Sequence, residues 1–364
     1  MTRFLTFCIV SLLLASCGND SNGIKALQPS DDYDRVACLT NIYDNIALPA
    51  FKDFQDKLDL LEQSTKNYTS NPTDINLLND LRFSWLEAYS KWQFVEIFSH
   101  YGKGEELLYG FKMNTFPTDN YRTTNIINGI AQFNPAYIDN QGFPALEYLI
   151  YGIGDSDQDV MNNLNNHYAL SLMNDIVAEM KNNTATVYSW WIDNRDAIVK
   201  DNSSTATSSL NLFINDFIYY YEKGFRTNKF GIPSGYFSSG QTFKEKTEGY
   251  YAGDISRLLA SNSLQSISAL FEGRSYVDNS IGESLFTYLV FLQEEELASE
   301  ILNNFDEINL SIQNLESDFA RQIELNNDEL SSTFNLIQSV VAKLKIDMTM
   351  AMGVGIDYIS GDGD

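Results

Sequence analysis

One carboxylate stands out in this sequence because it lies in a stretch that is otherwise apolar. The stretch covers residues 141–152 and reads QGFPALEYLIYG, with Glu147 near its centre. Gly142 and Pro144 favour the start of a helix, because proline fits the first turn, where its missing N–H is not needed. The predicted helix is apolar on nearly every side, which is typical of a buried helix. We therefore expect Glu147 to be paired, hydrogen-bonded or protonated, since an isolated buried charge is costly.

Two interpretations of Glu147 are open at this point. It forms part of a functional site, or its carboxylate reaches solvent at the start of the helix, where the helix dipole favours negative charge. The candidate cations for a buried Glu147 are Arg82 and two residues of a later basic segment, Arg226 and Lys229. That segment, residues 223–235, contains glycines and a proline, which predict a shaped loop of the kind that often carries function. The alternative is a solvated basic loop.

A second group of candidate residues follows helical spacing further towards the amino terminus. Arg82, Tyr89 and Glu96 are spaced by seven residues, so they share nearly one face of a helix. Trp85 and Trp92 belong to the same stripe. Either the charged residues form a site beside these aromatic rings, or the tryptophans are core residues and the charges lie at the edge of the core.

The elements that position these residues are predicted to be helices. Apolar residues recur at helical spacing along most of the chain, and the sequence contains no strongly β-rich stretch. A Ser/Thr-rich segment, residues 201–209, is the clearest boundary between two halves. We predict an all-α fold with one helical domain over residues 33–200 and a second over residues 201–364. Helices are predicted at residues 34–67 with a kink or break at Pro49, and at 74–101, 121–133, 162–193, 211–223, 243–272, 281–293, 294–325 and 328–352.

The first residues are predicted to be a targeting signal rather than part of the fold. Arg3 precedes a short apolar run, and LASC at residues 14–17 is typical of the site where bacterial lipoproteins are cleaved and acylated. Residues 1–16 would then be the signal peptide, Cys17 the lipidated residue and residues 17–32 a flexible tether. An ordinary secretory signal is the alternative. The expected location is the cell envelope, anchored by lipid in the outer membrane and facing the periplasm or the cell exterior.

Charge and residue types argue against several functions. The formal net charge of −25 argues against nucleic-acid binding, which uses basic patches. Cys38 is the one cysteine that would remain in the folded part, so we expect a small buried hydrophobic residue rather than a disulfide or a zinc ligand. A zinc peptidase uses histidine ligands followed closely by glutamate, and neither His100 nor His167 has that context.

Four segments of the chain resemble the imelysin-like family. The stretch around Glu147 is similar to the family's Gly-x-His-x-x-Glu signature: Gly142 and Glu147 match, and Pro144 stands where the signature has histidine. Three further segments resemble the Bacteroidetes-type branch of the family. They are WLEAYSKWQ at residues 85–93, KFGIPSG at residues 229–235 and the carboxyl-terminal residues 345–364.

The resemblance implies two four-helix-bundle-like domains packed together, with a site between them, and an association with bacterial iron uptake and its components. Carboxylates can bind hard cations without histidine, so Glu147 is the candidate ligand for iron or another hard cation. The alternatives are a structural or interaction lipoprotein without a small ligand and, more remotely, a metallopeptidase, which the missing histidine argues against. The candidate ligand-binding residues are Gly142, Phe143, Glu147, Trp85, Arg82, Glu96, Arg226, Lys229, Gly231, Pro233 and Asp347.

Overall fold

The computed structural model describes residues 32–358. The predicted signal peptide, the lipidation site Cys17 and nearly all of the predicted tether lie outside the described residues, as do the last six residues of the chain. Cys38 is fully buried with a free thiol, which confirms the expectation for this residue.

Helices account for the regular secondary structure, and residues 32–358 contain no β-strand, which confirms the all-α prediction. The α-helices are α1 (Arg35–Thr40), α2 (Leu48–Ser70), α3 (Ile75–Val95), α4 (Lys103–Glu106), α5 (Tyr109–Asn114), α6 (Asn120–Ile127), α7 (Gly142–Glu147), α8 (Asp157–Leu164), α9 (His167–Val199), α10 (Ser209–Tyr219), α11 (Ser256–Glu272), α12 (Leu285–Phe291), α13 (Glu295–Asn314), α14 (Phe319–Ala342) and α15 (Thr349–Met352). Four π-helices continue or precede α-helices: π1 (Asn41–Ala47), π2 (Tyr148–Gly152), π3 (Tyr220–Gly231) and π4 (Lys343–Met348).

The helices pack in two groups that share one hydrophobic core. In the first group α2 packs against α3 and α9, and in the second α13 packs against α11, α12 and α14. The groups meet where α11 packs against α3, and where π3, which packs against α14 and α11 of the second group, contacts the short 3₁₀ turn Glu96–Phe98 that follows α3. The junction between the groups is therefore formed by α3, α11 and π3. The division into separate domains after residue 200 stays a prediction.

Several predicted helix limits are wrong, and local backbone chemistry explains them. The helix predicted at residues 121–133 ends at Ile127, close to Gly129, whose φ of +73° is not helical. The predicted break at Pro49 is a change of helix type, because π1 leads directly into α2 and Pro49 occupies the first turn of α2. Four other predicted ranges also differ. Residues 162–193 span parts of two helices, α8 and α9; α11 begins only at Ser256; α13 ends at Asn314; and α14 begins at Phe319.

The largest difference concerns the basic segment at residues 223–235. A loop was predicted, yet the chain continues from α10 into π3 and remains helical up to Gly231. Arg226 and Lys229 are 1% and 2% exposed, so the alternative of a solvated basic loop is also wrong. Packing against α14 outweighs the weak helix propensity of the glycines in this segment.

None of the helices within residues 32–358 combines the length and hydrophobicity that a transmembrane helix needs.

Candidate functional site

Glu147 ends α7 and is held by the backbone of the second helical group. Glu147 is only 3% exposed, so its carboxyl group does not reach solvent at the helix end. The Oε1 atom accepts hydrogen bonds from the backbone N–H groups of Tyr251 (2.7 Å) and Ala252 (2.9 Å). Both donors lie in the irregular segment that precedes α11. Of the partners considered for Glu147, backbone N–H groups are the ones observed.

Burial determines the protonation of this carboxyl group. Desolvation raises the pKa of Glu147 to about 8, although the two backbone hydrogen bonds lower it and the nearby carboxylate of Glu248 raises it further. At neutral pH the group is therefore mostly a neutral carboxylic acid. A metal ion bound by Glu147 would have to displace this proton.

The residues before Glu147 fit closely against the first helical group. Phe143 stacks on Tyr89 with ring centroids 4.4 Å apart, and its carbonyl oxygen accepts a hydrogen bond from Nε1 of Trp85 (3.2 Å). Gly142 has a φ of +73°, and a Cβ atom there would lie 2.2 Å from the carbonyl oxygen of Met113. The glycine is thus required both by its conformation and by the close approach of this backbone. Trp85 is a fully buried core residue that also contacts the Glu147 stretch.

Arg82 binds the end of the same stretch rather than Glu147. Its Nε and Nη2 atoms donate to the carbonyl oxygen of Ile150 at 2.9 and 2.8 Å, and Nη1 pairs with Asp157 at 2.7 Å. The guanidinium group also lies 4.5 Å from the ring centroid of Tyr151. Arg82 therefore fixes π2 against α3.

A buried ion pair lies at the junction of the two helical groups. Nζ of Lys229, on π3, is 2.5 Å from Oε2 of Glu248 and 3.7 Å from Oε2 of Glu96. Lys229 is 2% exposed and Glu248 is 3% exposed, while Glu96 follows directly after α3. Two carboxylates thus surround one ammonium group. If all three were ionised, one negative charge would remain in excess.

Two amide side chains connect these charged groups. Nδ2 of Asn114 donates to Oε1 of Glu96 and to Oε1 of Glu248, both at 2.8 Å. Gln93 donates to Glu248 (3.1 Å) and accepts from Lys229 (2.8 Å). We call Gln93, Glu96, Asn114, Lys229 and Glu248 the junction cluster. Hydroxyl groups extend it: Tyr220 donates to Glu96 at 3.0 Å, Tyr89 to Asn114 at 2.6 Å and Ser263 to Gln93 at 2.6 Å.

The junction cluster contains more acidic than basic groups, and this affects the protonation of Glu96. Burial raises the pKa of Glu96, the positive charge of Lys229 opposes this rise, and the neighbouring carboxylate of Glu248 adds to it. The excess negative charge would be relieved by a proton or by a bound cation. A small cleft of about 270 Å³, lined partly by Asn114, Asn228 and Lys246, opens beside the cluster.

The structure brings only some of the predicted site residues together. Lys229 and Glu96 meet in the junction cluster, and Phe143, Trp85 and Gly142 surround the Glu147 stretch. Glu248, Asn114 and Gln93 were not predicted. Gln93 was within reach of sequence reasoning, because it precedes Glu96 by three residues and so lies on the same face of the helix. Glu248 and Asn114 carry no comparable signal in the sequence.

Four predicted site residues lie elsewhere. Arg226 hydrogen-bonds Gln338 of α14, and the carbonyl oxygen of Pro233 accepts from the N–H of Phe243 (2.9 Å). A Cβ atom at Gly231 would lie 2.5 Å from the ring of Phe237, which indicates a packing role for this glycine. Asp347 is exposed on π4. Arg226, Gly231 and Pro233 therefore support the second helical group rather than the surroundings of Glu147.

The described residues offer no preformed metal centre. Within residues 32–358, no three His, Cys, Asp or Glu side chains are grouped so that they could hold a metal ion. Metal binding by Glu147 stays a prediction, and the geometry indicates that a cation would need either rearranged side chains or ligands of its own.

Comparisons with known proteins point to one family. The family model described as imelysin matches residues 47–346, and the name of that model also calls the family a peptidase family. An imelysin-like protein from Psychrobacter arcticum, known from a crystal structure, is similar with a TM-score of 0.72 and 15% identity, over 89% of this chain and 97% of that one. A protein from Parabacteroides distasonis, provisionally named iron-regulated protein A precursor, gives a TM-score of 0.70 and 14% identity, over 90% of this chain and 96% of that one. No curated protein matches the chain.

The unusual protonation of Glu147 should be visible in the pH dependence of stability. Its pKa is higher in the folded protein (about 8) than in an unfolded chain, so the folded state binds more protons between those two pKa values. Stability should therefore fall as the pH rises from roughly 5 to 8, by at most about 1.4 kcal/mol per pH unit. Glu147→Gln, which imitates the neutral acid, should flatten this slope in denaturant unfolding. Glu296→Gln, on the exposed face of α13, is the control, and an identical slope for both variants would contradict the assignment.

The junction cluster should depend strongly on Lys229. Lys229→Met leaves Glu248 buried without its cation, which should lower the free energy of unfolding by about 3–5 kcal/mol. Lys57→Met removes a pair of similar length to Glu87 (2.9 Å), but those side chains are 25% and 40% exposed, so the expected loss is below about 1 kcal/mol. Equal losses in urea unfolding would show that the cluster does not hold the junction together. The double variant Lys229→Met/Glu248→Gln should recover part of the loss.

Proposed function

Since the chain belongs to the imelysin family, we propose that it is a lipid-anchored protein of the cell envelope that binds iron, or a ligand containing iron, during iron uptake. The family match over residues 47–346 supports this proposal, and so does the fold shared with a protein provisionally named as iron-regulated. The proposed anchor is the lipid on Cys17 in the outer membrane, with the protein facing the periplasm or the cell exterior. Its partners would be other components of iron uptake.

The observation that carries the proposal is the concentration of carboxyl groups at the junction. Glu96, Glu147 and Glu248 are all buried there, and Lys229 is the ammonium group that the structure places between two of them. Well-packed apolar residues are often as stable as a buried ion pair, so such a cluster is not needed for folding alone. Departures from ordinary core composition of this kind are expected at functional sites.

Iron is the chemically suitable cargo for such a site. Hard cations prefer oxygen ligands, which the three carboxyl groups would supply. Because these groups are not arranged as a ready-made metal centre, we propose that iron enters with part of its coordination sphere filled by another ligand, or that it displaces Lys229 and the proton of Glu147. The cleft beside Asn114 is the proposed route to the cluster.

We propose binding rather than peptide hydrolysis. Pro144 stands where the family signature has histidine, and its nitrogen belongs to a tertiary amide that cannot ligate a metal. The two histidines lie in other surroundings: His100 packs against Phe111 and Tyr219, and His167 begins α9 beside Tyr168. Neither arrangement supports the histidine–glutamate chemistry of a zinc peptidase.

A structural or interaction lipoprotein without a small ligand is the second candidate. One observation favours it: the ion pair between Lys229 and Glu248, together with the amide groups of Gln93 and Asn114, already satisfies much of the hydrogen bonding in the junction cluster. Under this alternative the cluster would serve only to fix the two helical groups against each other.

Titration with iron distinguishes the two candidates. Metal-free protein is titrated with ferric citrate, with ferrous iron under anaerobic conditions and with Zn²⁺, and binding is followed by calorimetry. We expect saturable binding of iron that is weakened about tenfold or more in Glu147→Gln and Glu248→Gln, with Glu296→Gln unchanged. If wild-type protein binds neither form of iron, the iron proposal fails and the structural candidate is favoured.

The proposed anchor is tested by labelling with a fatty acid in a bacterial host. Wild-type protein should incorporate the label and fractionate with membranes, and Cys17→Ala should lose both properties. Cys38→Ala is the matched control, because Cys38 is buried in the folded protein and should not affect labelling. Equal labelling of wild-type protein and Cys17→Ala would remove the lipoprotein assignment.

A further inference from the structure

A second cavity lies apart from the junction cluster and differs from it in chemistry. It has a volume of about 640 Å³ and is lined by residues other than those of the cluster. Its walls come from the chain that follows α3, from the carboxyl-terminal part of α9, from α10 and from the end of the described chain at Tyr358. The first helical group, through α9, and α10, which leads into π3, thus both contribute to it.

Five aromatic side chains line the cavity. The rings of Tyr101 and Trp190 are 6.1 Å apart at an interplanar angle of 64°, and those of Tyr219 and Tyr358 are 5.3 Å apart at 89°. Phe111 adds a further ring that is 41% exposed. Several aromatic side chains thus line one space, as they do in the aromatic cages that surround cationic ligands.

The charges around this cavity are negative. Glu105, Asp216 and Asp357 line it, and no lysine or arginine is found among the described residues of its wall. The one histidine there, His100, is neutral at pH 7, because burial lowers its pKa to about 4. Lys345 lies 5.3 Å from the ring centroid of Tyr358, but it is paired with the carboxylate of Glu222.

Asp216 is the most buried of these carboxyl groups. Burial raises its pKa to about 7, and the neighbouring carboxylates of Glu105 and Asp357 raise it further. A cation in the cavity would therefore favour the ionised form of Asp216, in the same way that a paired lysine or arginine would.

We propose that this cavity binds a small organic cation with an alkylated ammonium group. Aromatic faces attract weakly hydrated cations, and an alkylated ammonium also fills an apolar space that a metal ion would not. The carboxylates of Glu105, Asp216 and Asp357 supply the opposite charge. This site is independent of the proposed binding of iron at the junction cluster.

Choline and its neutral carbon analogue, in which a tert-butyl group replaces the trimethylammonium group, separate charge from shape. The full-length protein is titrated calorimetrically with each compound in the absence of iron. We expect saturable binding of choline at one site and binding of the neutral analogue that is at least about tenfold weaker. Equal binding of the two compounds, or no saturable binding of choline at millimolar concentrations, would overturn the proposal.

Variants of the wall locate the site. Trp190→Leu and Asp216→Asn should each weaken choline binding about fivefold or more, whereas Asp193→Asn, at an exposed position on α9, should leave it unchanged. Phe111→Leu changes a half-exposed ring, so it tests the wall without opening the core if either of the first two variants fails to fold. Unchanged affinity in the folded wall variants would place choline elsewhere and reject this cavity.

Discussion

The cost of removing charge from water is the constraint on which the centre of this protein depends. Lys229 offsets much of that cost for Glu248 and, at a longer distance, part of it for Glu96. Lys229 and Glu248 lie in π3 and in the segment before α11, whereas Glu96 and Gln93 lie at the end of α3. The contacts of Lys229 with Glu96 and Gln93 therefore form only when the two helical groups are packed together. The amide groups of Gln93 and Asn114 then complete the hydrogen bonding. Packing of apolar side chains builds each group and joins the two in one core, and the buried charges add polar contacts where the groups meet.

The π-helical geometry of π3 also helps to bring the positive charge of Lys229 next to the buried carboxylates. A π-helix rotates and shifts side chains relative to an α-helix, and such segments are frequent at functional sites. On π3 it allows Lys229 to enter the junction while Arg226, three residues earlier, contacts Gln338 of α14. The two buried basic residues of π3 therefore have different roles. Lys229 belongs to the candidate site, whereas Arg226 supports the second helical group.

Sequence reasoning reached the fold class because hydrophobic periodicity is local and survives in most of these helices. It selected Glu147 for the same reason, since a carboxylate in an apolar helix stands out without knowledge of the fold. It failed at residues 223–235, where glycines and charges suggested a loop and tertiary packing produced π3. It also missed Glu248. This residue lies in a polar segment that was predicted to be helical, and only its contacts with Lys229 and Asn114 in the folded protein identify it as part of the site. Contacts between distant segments leave no trace in periodicity, so the composition of the cluster could not be predicted.

The hydrogen bonds to Glu147 affect which positions of the sequence can change during evolution. The donors are main-chain groups of Tyr251 and Ala252, more than a hundred positions away from the acceptor. Every amino acid except proline carries such a donor, so side chains at these two positions can vary while the attachment persists. Correlated changes between relatives would therefore not reveal this contact. Selection on residue type can therefore act on Glu147. It does not act in the same way on Tyr251 and Ala252, because their contribution comes from the main chain.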